Sequence, residues 1–166
     1  MTLEEFNDLG RQWQYEALLN CCSCEAWAAR VPDGAPFESV DAVVESARNA
    51  WDKASENEVL EAFSGHPQIG DLEALRNQYA NTASAEQGQV VEADETVLIR
   101  LRDQNKAYLE KFGFIFIVCA TGKSAEEMLA LLDERIGNSR EEELVNGARE
   151  QMAITELRIR KMVEND

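Results

Sequence analysis

His66, the only histidine of the chain, is the residue whose type and setting are best suited to acid–base chemistry. It opens the segment His-Pro-Gln-Ile-Gly-Asp at positions 66–71, directly after Gly65. Proline disfavours helical geometry at the residue before it, so we expect the imidazole on a stiff turn between two helical stretches. A histidine side chain ordinarily exchanges a proton near neutral pH. We therefore predict that His66 is catalytic, against the simpler alternative that it is structural or merely exposed.

Glu86 and Arg158 are two further candidates, each with a simpler interpretation. Glu86 lies in a polar stretch at positions 83–88, where a solvated glutamate is the plain alternative; beside His66, its carboxylate would fix the tautomer and favour the charged ring. Arg158 falls at the rim of the apolar face of the last helix, and Arg160 on the opposite, solvent-exposed side. Arg158 could lie over the core or project a two-pronged donor toward a carboxylate or ureido group, and the pattern leaves both open.

Composition argues against several kinds of partner. Sixteen basic and thirty-two acidic residues give a net charge of −16, which repels nucleic acid and anionic lipid. The start of the chain lacks a signal-peptide pattern, and its longest apolar run, positions 114–120, is far too short to span a bilayer, so we expect a cytoplasmic protein. The cysteines have poor spacing for zinc, so we expect no metal and reduced, mostly buried thiols at Cys21, Cys22, Cys24 and Cys119.

Almost every segment of the chain has a helical pattern. Capping boxes or single N-caps mark helix starts at Thr2, Ser39 or Asp41, Ser55, Asp71, Ser124 and Ser139. The helical signal lapses over positions 80–94. Positions 112–120 are the only β-like run, which we interpret as a buried extended connector or a distorted helix because one strand cannot make a sheet. The last helix is expected to bury Val145, Ala148, Met152, Ile159 and Met162. We predict an all-α, single-domain helical bundle of about eight to nine helices over residues 1–166.

Several of these segments together resemble a known enzyme family. The segments in question are 66–71, Ala-Ser-Ala-Glu-Gln at 83–87, Asn-Lys-Ala-Tyr at 105–108 with Lys-Phe-Gly-Phe-Ile-Phe-Ile at 111–117, Arg-Ile-Gly-Asn at 135–138, and 150–159. Their order and spacing are similar to those of the 2-oxo-4-hydroxy-4-carboxy-5-ureidoimidazoline (OHCU) decarboxylases. These enzymes convert OHCU, formed in urate degradation, to (S)-allantoin and carbon dioxide. The resemblance covers essentially the whole chain.

The resemblance implies a decarboxylase that needs no cofactor, has an all-α fold and is frequently a homodimer. Motif by motif, it implies a catalytic histidine at His66, its acidic partner at Glu86 and a substrate-binding arginine at Arg158. It also implies substrate contacts from Pro67, Ala83, Ser84, Gln87, Phe116, Ile117, Val118, Cys119 and Ala120, several of them through the backbone. Ala83 stands where the family often has serine, so a hydroxyl contact would be absent there.

A decarboxylase without a cofactor needs a substrate that stabilises its own carbanion, and the C=N and carbonyl groups of OHCU can do this. We expect Arg158 to bind substrate oxygens. His66, oriented by Glu86, would act on the hydroxyl or protonate the enolate-like intermediate on one face. Two alternatives stay open: a helical interaction module whose acidic faces bind a basic partner, and a helical hydrolase or lyase acting on another ureido compound.

Overall fold

The computed structural model describes residues 1–67, 72–87 and 95–163, with the side chains of 80–87 excepted. All regular elements in these ranges are helical, which confirms the all-α prediction. They are α1 (Leu3–Asp8), α2 (Arg11–Leu19), α3 (Glu25–Arg30), a 3₁₀ turn (Val31–Gly34), α4 (Val40–Asp52), α5 (Glu56–Ser64), α6 (Leu72–Gln87), α7 (Glu95–Phe112), α8 (Ala125–Arg135) and α9 (Arg140–Met162). Across the same ranges, no helix has the length and apolar character needed to cross a membrane.

The chain forms two compact units. The first consists of Met1–His66 with Ala148–Asp166, and the second of Pro67–Gly147. The first unit is therefore built from both ends of the sequence, and the second from one continuous stretch. Helix α9 supplies its first turns to the second unit and its later turns to the first.

Helix starts follow the local sequence signals. The Thr2 hydroxyl accepts a hydrogen bond from the Glu5 backbone N–H at 3.1 Å, and the Glu5 carboxylate accepts one from the Thr2 N–H at 2.8 Å. Side-chain capping also occurs at Ser39, Ser55, Ser124 and Ser139. Each cap satisfies backbone donors that a helix leaves unpaired at its N-terminus. The predicted cap Asp71 lies outside the described residues.

Helix α6 extends into the segment where the sequence pattern predicts that helical structure lapses. Its backbone is helical as far as Gln87, so that prediction is wrong for positions 80–87, while positions 88–94 lie outside the described residues. The segment has no apolar stripe, but it contains Ala80, Ala83 and Ala85, and alanine has the highest intrinsic helix propensity. Hydrophobic periodicity indicates which face of a helix can be buried. It therefore does not detect a helix that is stabilised by the intrinsic propensity of its residues.

Buried tryptophans connect the helices of the first unit. Trp27 is fully buried and donates its indole N–H to the carbonyl of Ala47 at 2.9 Å. Trp51 donates in the same way to the carbonyl of Ala148 on α9, also at 2.9 Å. Each ring thus buries a large apolar area without leaving its N–H unpaired. The second bond ties α4 to the helix that carries Arg158.

An aromatic cluster forms part of the core of the second unit. The ring centroid of Tyr108 lies 4.5 Å from that of Phe112, 6.0 Å from Phe114 and 5.3 Å from Phe116. Positions 113–120 are neither helix nor strand, although Phe114, Phe116 and Ile117 are buried. Of the two interpretations of this run, the buried connector is therefore right and the distorted helix is wrong.

Helix α9 buries polar side chains as well as apolar ones. The sequence predicts Val145 on the buried face, but Val145 is 59% exposed. In these first turns the buried position is occupied by Glu143, and Val145 lies about 200° around the helix from it. The later turns bury two predicted apolar residues together with two polar ones: Met152, Ile159, Gln151 and Thr155.

Candidate active site

His66 lies directly after the C-terminal end of α5. The backbone N–H of Gly65 donates to the carbonyl of Ala62, and that of His66 to the carbonyl of Phe63, both at 3.2 Å. The His66 residue is half-buried, and Pro67 after it is exposed. These bonds fix the backbone from which the imidazole projects, as expected of a stiff turn.

The glycine before His66 is required by close packing. A β-carbon on Gly65 would lie 2.4 Å from the Oγ of Ser23 and 2.5 Å from its Cβ. The φ angle of Gly65 is −75°, which any residue can adopt. Glycine is therefore required here by the lack of space for a β-carbon, and not by the backbone conformation. Ser23 belongs to the loop at positions 20–24 between α2 and α3, so this loop abuts the turn that presents His66.

The imidazole of His66 has a buried partner that the sequence analysis missed. Its Nε2 lies 2.6 Å from the Oε1 of Gln151, whose residue is only 1% exposed. The Nε2 of Gln151 donates to the Oγ1 of Thr155 at 3.2 Å, and that hydroxyl donates to the backbone carbonyl of Gln151 at 2.8 Å. A signal was present: Thr155 falls about 60° from Met152 on the helix, inside the face predicted to be apolar, and a buried polar residue needs a partner.

The clustered cysteines form part of the loop that contacts α9. The thiol of Cys22 lies near the hydroxyl of Thr155 on α9, and burial raises the pKa of this thiol more than the hydroxyl lowers it. Cys21, Cys22 and Cys24 are free and buried, as the sequence predicts. Burial raises the pKa of Cys21 to about 11 and that of Cys22 to about 12, so both stay protonated and unreactive near neutral pH. Among the described residues, no cluster of three histidine, cysteine or acidic side chains could hold a metal ion.

Arg158 is exposed on α9 and reaches the same loop. Its Nη1 donates to the carbonyl of Cys21 at 3.2 Å, which is the one partner of its guanidinium within the described ranges. An arginine has five N–H donors, and the described residues occupy only one of them. Arg160 is exposed as predicted, and its guanidinium pairs with Asp41 at 2.8 Å and with Glu156 at 3.2 Å.

A buried carboxylate organises the second unit. Glu143 is fully buried and accepts four hydrogen bonds of 2.6–3.0 Å, from Tyr108, Arg135, Asn138 and Asn146. Burial raises the pKa of Glu143, but these donors and the charge of Arg135 outweigh it, so the pKa lies below its usual range. Burial, reinforced by Glu143, raises the pKa of Tyr108, which therefore remains a neutral donor.

Arg135 links this carboxylate to the connector at positions 113–120. Its Nη1 donates to the carbonyl of Ile117 at 2.8 Å, and its guanidinium lies 4.5 Å from the ring centroid of Phe116. Arg135 is part of a sequence motif, and the structure shows that it also anchors the backbone of the connector. Arg135 therefore holds the first residues of the segment 116–120, where substrate contacts are predicted.

Comparison with known proteins decides the family. The sequence model of the OHCU decarboxylase family matches residues 7–160. The chain belongs to the OHCU decarboxylase family. It is 38% identical over 146 residues to the uric acid degradation bifunctional protein TTL of Arabidopsis thaliana, a match that covers 86% of this chain and 45% of that protein. It is 27% identical to an OHCU decarboxylase of Haloferax volcanii, over 96% of this chain and 94% of that one.

Two solved structures of similar fold support the assignment to this family. A crystal structure of an OHCU decarboxylase in the presence of (S)-allantoin has a TM-score of 0.71 and 34% identity, and the match covers 92% of this chain and 97% of that one. A crystal structure of (S)-allantoin synthase has a TM-score of 0.75 at 19% identity over 98% of this chain and 54% of that one, which supports the fold alone. The prediction of an OHCU decarboxylase-family lyase is confirmed.

The motif residues of this OHCU decarboxylase-family chain fall in both units. His66 and Arg158 belong to the first unit. There His66 contacts Gln151, and Arg158 contacts the carbonyl of Cys21. Pro67 and the segments 83–87 and 116–120 belong to the second. Ala83, Ser84, Glu86 and Gln87 lie on the helical backbone of α6, but their side chains are outside the described part. The predicted pairing of Glu86 with His66 therefore stays a prediction.

Proposed function

We propose that the protein decarboxylates OHCU to (S)-allantoin and carbon dioxide without a cofactor, and that it delivers a proton to one face of the intermediate. One observation carries the proposal: the motif histidine, in a chain matched to this family over residues 7–160, is half-buried and hydrogen-bonded to a buried glutamine. A histidine held in one orientation is suited to positioned proton transfer, which contributes about 10²–10⁴-fold to a rate.

Substrate binding would begin with Arg158. OHCU carries a carboxylate, and a protein with a net charge of −16 does not attract an anion through its overall field. A local cation is needed, and Arg158 is exposed with only one of its donors occupied by the described residues. The backbone of positions 116–120 would hold the ring, with further contacts from Pro67 and from Ala83, Ser84 and Gln87. Ala83 would contribute no hydroxyl.

The chemistry then needs one bond to break and one proton to move. As the bond to the carboxylate breaks, carbon dioxide leaves and the electron pair passes into the adjacent C=N and carbonyl groups. His66, with Glu86 as its acidic partner, would act on the substrate hydroxyl or give the proton that completes allantoin. Delivery to a single face of the intermediate would give the S enantiomer.

Circular dichroism of allantoin tests this proposal. Urate is oxidised and hydrated to OHCU with and without the protein, and the (S)-allantoin signal is followed over time. A fast rise only with the protein is the expected result, because uncatalysed decay gives a racemic, optically silent product. A slow and silent product in the presence of folded protein would overturn the proposal, and a panel of other ureido compounds and a search for salt-sensitive protein binding would then test the two alternatives.

We also propose that the protein is a homodimer, as the family resemblance implies, and that it is cytoplasmic, as expected from its sequence. Light scattering coupled to size-exclusion chromatography tests the assembly. Twice the monomer mass at micromolar concentration is expected, and a monomer mass across the accessible concentrations would contradict it.

A further inference from the structure

We infer that Gln151, fixed by Thr155, is a positioning residue for His66: it holds the imidazole with a proton on Nε2 and leaves Nδ1 as the atom that exchanges a proton with the substrate. The role in turnover rests on the proposed function, whereas the state of the ring can be measured without it. Both residues lie in the first unit, and their contact joins positions 85 residues apart in the sequence.

The orientation of the Gln151 amide follows from the hydroxyl of Thr155. A hydroxyl has one hydrogen, and that of Thr155 is directed to the backbone carbonyl of Gln151 at 2.8 Å. Toward the side chain of Gln151 it can therefore only accept, so the amide NH₂ faces Thr155 and the amide oxygen faces His66.

This orientation determines which ring nitrogen of His66 carries the proton. The amide oxygen of Gln151 lies 2.6 Å from Nε2, and two lone pairs at that distance would repel. Nε2 must therefore be the donor. Because Gln151 is 1% exposed, water has little access to its amide and cannot readily replace the ring as its partner.

The atom that reacts follows from this tautomer. In the neutral ring, a proton on Nε2 leaves the lone pair on Nδ1, which is then the base; in the charged ring, the proton on Nδ1 is the one that can be given up. The two roles that the sequence leaves open for His66, acting on the hydroxyl or protonating the intermediate, would thus use the same atom. Gln151 would act in both by keeping the other nitrogen occupied. The proposed acidic partner Glu86 would then act from the Nδ1 side of the ring, beside the substrate, where its charge favours the protonated ring.

Nitrogen NMR of the ring tests the tautomer. His66 is the only histidine, so protein labelled with ¹⁵N-histidine gives one pair of ring signals. We expect the neutral ring of the wild type to show a protonated Nε2 and an unprotonated Nδ1. Gln151→Leu, which lacks the acceptor, and Thr155→Val, which frees the amide to turn, should each give a mixture of tautomers. Gln151→Glu keeps an acceptor oxygen and should retain the proton on Nε2.

Gln14 provides the matched control. It is a buried glutamine of the same unit, 4% exposed, and its amide donates to the backbone carbonyl of Phe6 at 3.0 Å. Gln14→Leu removes a comparable buried amide, so it should lower stability while leaving the ring signals of His66 unchanged.

Kinetics separate positioning from a merely structural role. Gln151→Leu should lower kcat by about tenfold or more, as one part of the 10²–10⁴-fold that proton transfer contributes, with little change in KM. Gln14→Leu should keep kcat. Gln151→Glu should recover much of the rate and move the pH–rate profile to higher pH, because a carboxylate favours the charged ring.

A proton on Nδ1 in the wild type, or ring signals unchanged by both Gln151→Leu and Thr155→Val, would overturn the inference. If the wild type has the predicted tautomer but no decarboxylase activity, the proposed function fails while the role of Gln151 in holding the ring is upheld.

Discussion

Arg158 and Arg160 lie two positions apart on α9, yet their guanidinium groups have different kinds of partner. That of Arg160 is paired with the carboxylates of Asp41 and Glu156, whereas that of Arg158 donates to the carbonyl of Cys21. A carbonyl neutralises no charge, and no carboxylate among the described side chains is paired with Arg158, so within that part of the chain its positive charge is available to an anion. The pair therefore offers a matched comparison between a candidate ligand-binding arginine and a surface one.

Replacing these two arginines should have unequal effects. Arg158→Ala should weaken binding of (S)-allantoin by about 1.5–3 kcal/mol, the scale of a hydrogen bond to a charged group. Arg160→Ala should leave binding unchanged and cost little stability, because exposed ion pairs contribute little. Calorimetric titration with (S)-allantoin measures both. Equal losses from the two variants would mean that Arg158 has no special role.

Removing the imidazole should abolish most of the catalysis while the fold persists. His66→Ala is expected to lower kcat by about 10²–10⁴-fold, the contribution of positioned proton transfer. The measurement is the initial rate of (S)-allantoin formation by circular dichroism, with the far-ultraviolet spectrum of the variant as the check on folding. Wild-type activity in a folded His66→Ala protein would exclude His66 from the chemistry.

Adding a methyl group to the turn before His66 should disturb the site through Ser23. Gly65→Ala places a carbon 2.4 Å and 2.5 Å from the Oγ and Cβ of Ser23, and such overpacking typically costs about 1–3 kcal/mol. Ser23→Gly removes both contacted atoms, so the double variant should recover stability in urea unfolding and also activity. Additive losses in the double variant would show that the cost of Gly65→Ala does not arise from this contact.

Acid should weaken the second unit through Glu143. Its folded-state pKa is lowered, so its stabilisation is complete above the ordinary carboxylate pKa of about 4.3 and is lost as the pH falls through the lower folded value. Glu143→Gln should cost about 3–5 kcal/mol at pH 7, because it leaves the charge of Arg135 buried without its partner. The difference from the wild type in urea unfolding should shrink as the pH falls. Glu141→Gln, at an exposed neighbouring position, is the control, and a difference independent of pH would contradict this account.

The cysteine loop should resist alkylation in the folded protein. Cys21, Cys22 and Cys24 are buried and burial raises the pKa of each, whereas Cys119 is half-buried. Iodoacetamide at pH 8 should therefore modify Cys119 first, and the other three only after urea unfolds the chain. Peptide mass spectrometry identifies the sites, and rapid native-state labelling of Cys22 would show that the loop opens.

Local signals predicted the helix starts, because an N-cap depends on residues three positions apart. Thr2 with Glu5 shows this directly. The wrong predictions have equally local causes. Periodicity took no account of alanine propensity in α6, and a single apolar face was assumed along α9, where Glu143 displaces Val145 from the buried position.

The site was predictable only in part. The type and setting of His66 and the rim position of Arg158 indicated two candidate residues before any contact was known. Their surroundings could not be read from the sequence, because Gln151 reaches His66 across 85 positions and Ser23 reaches Gly65 through packing alone. Such contacts depend on how helices meet, which no short window of sequence encodes.

The first unit contains both ends of the sequence, and this affects how the protein is made. His66 is synthesised long before Ala148 and the residues that follow it, while the whole of Pro67–Gly147 emerges in between. Domains generally fold in the order in which they leave the ribosome. The second unit can therefore begin to fold first, whereas the imidazole must wait until the middle of α9 has been made before Gln151 can hold it. A nascent chain halted before Ala148 would carry the histidine without the glutamine that holds its ring.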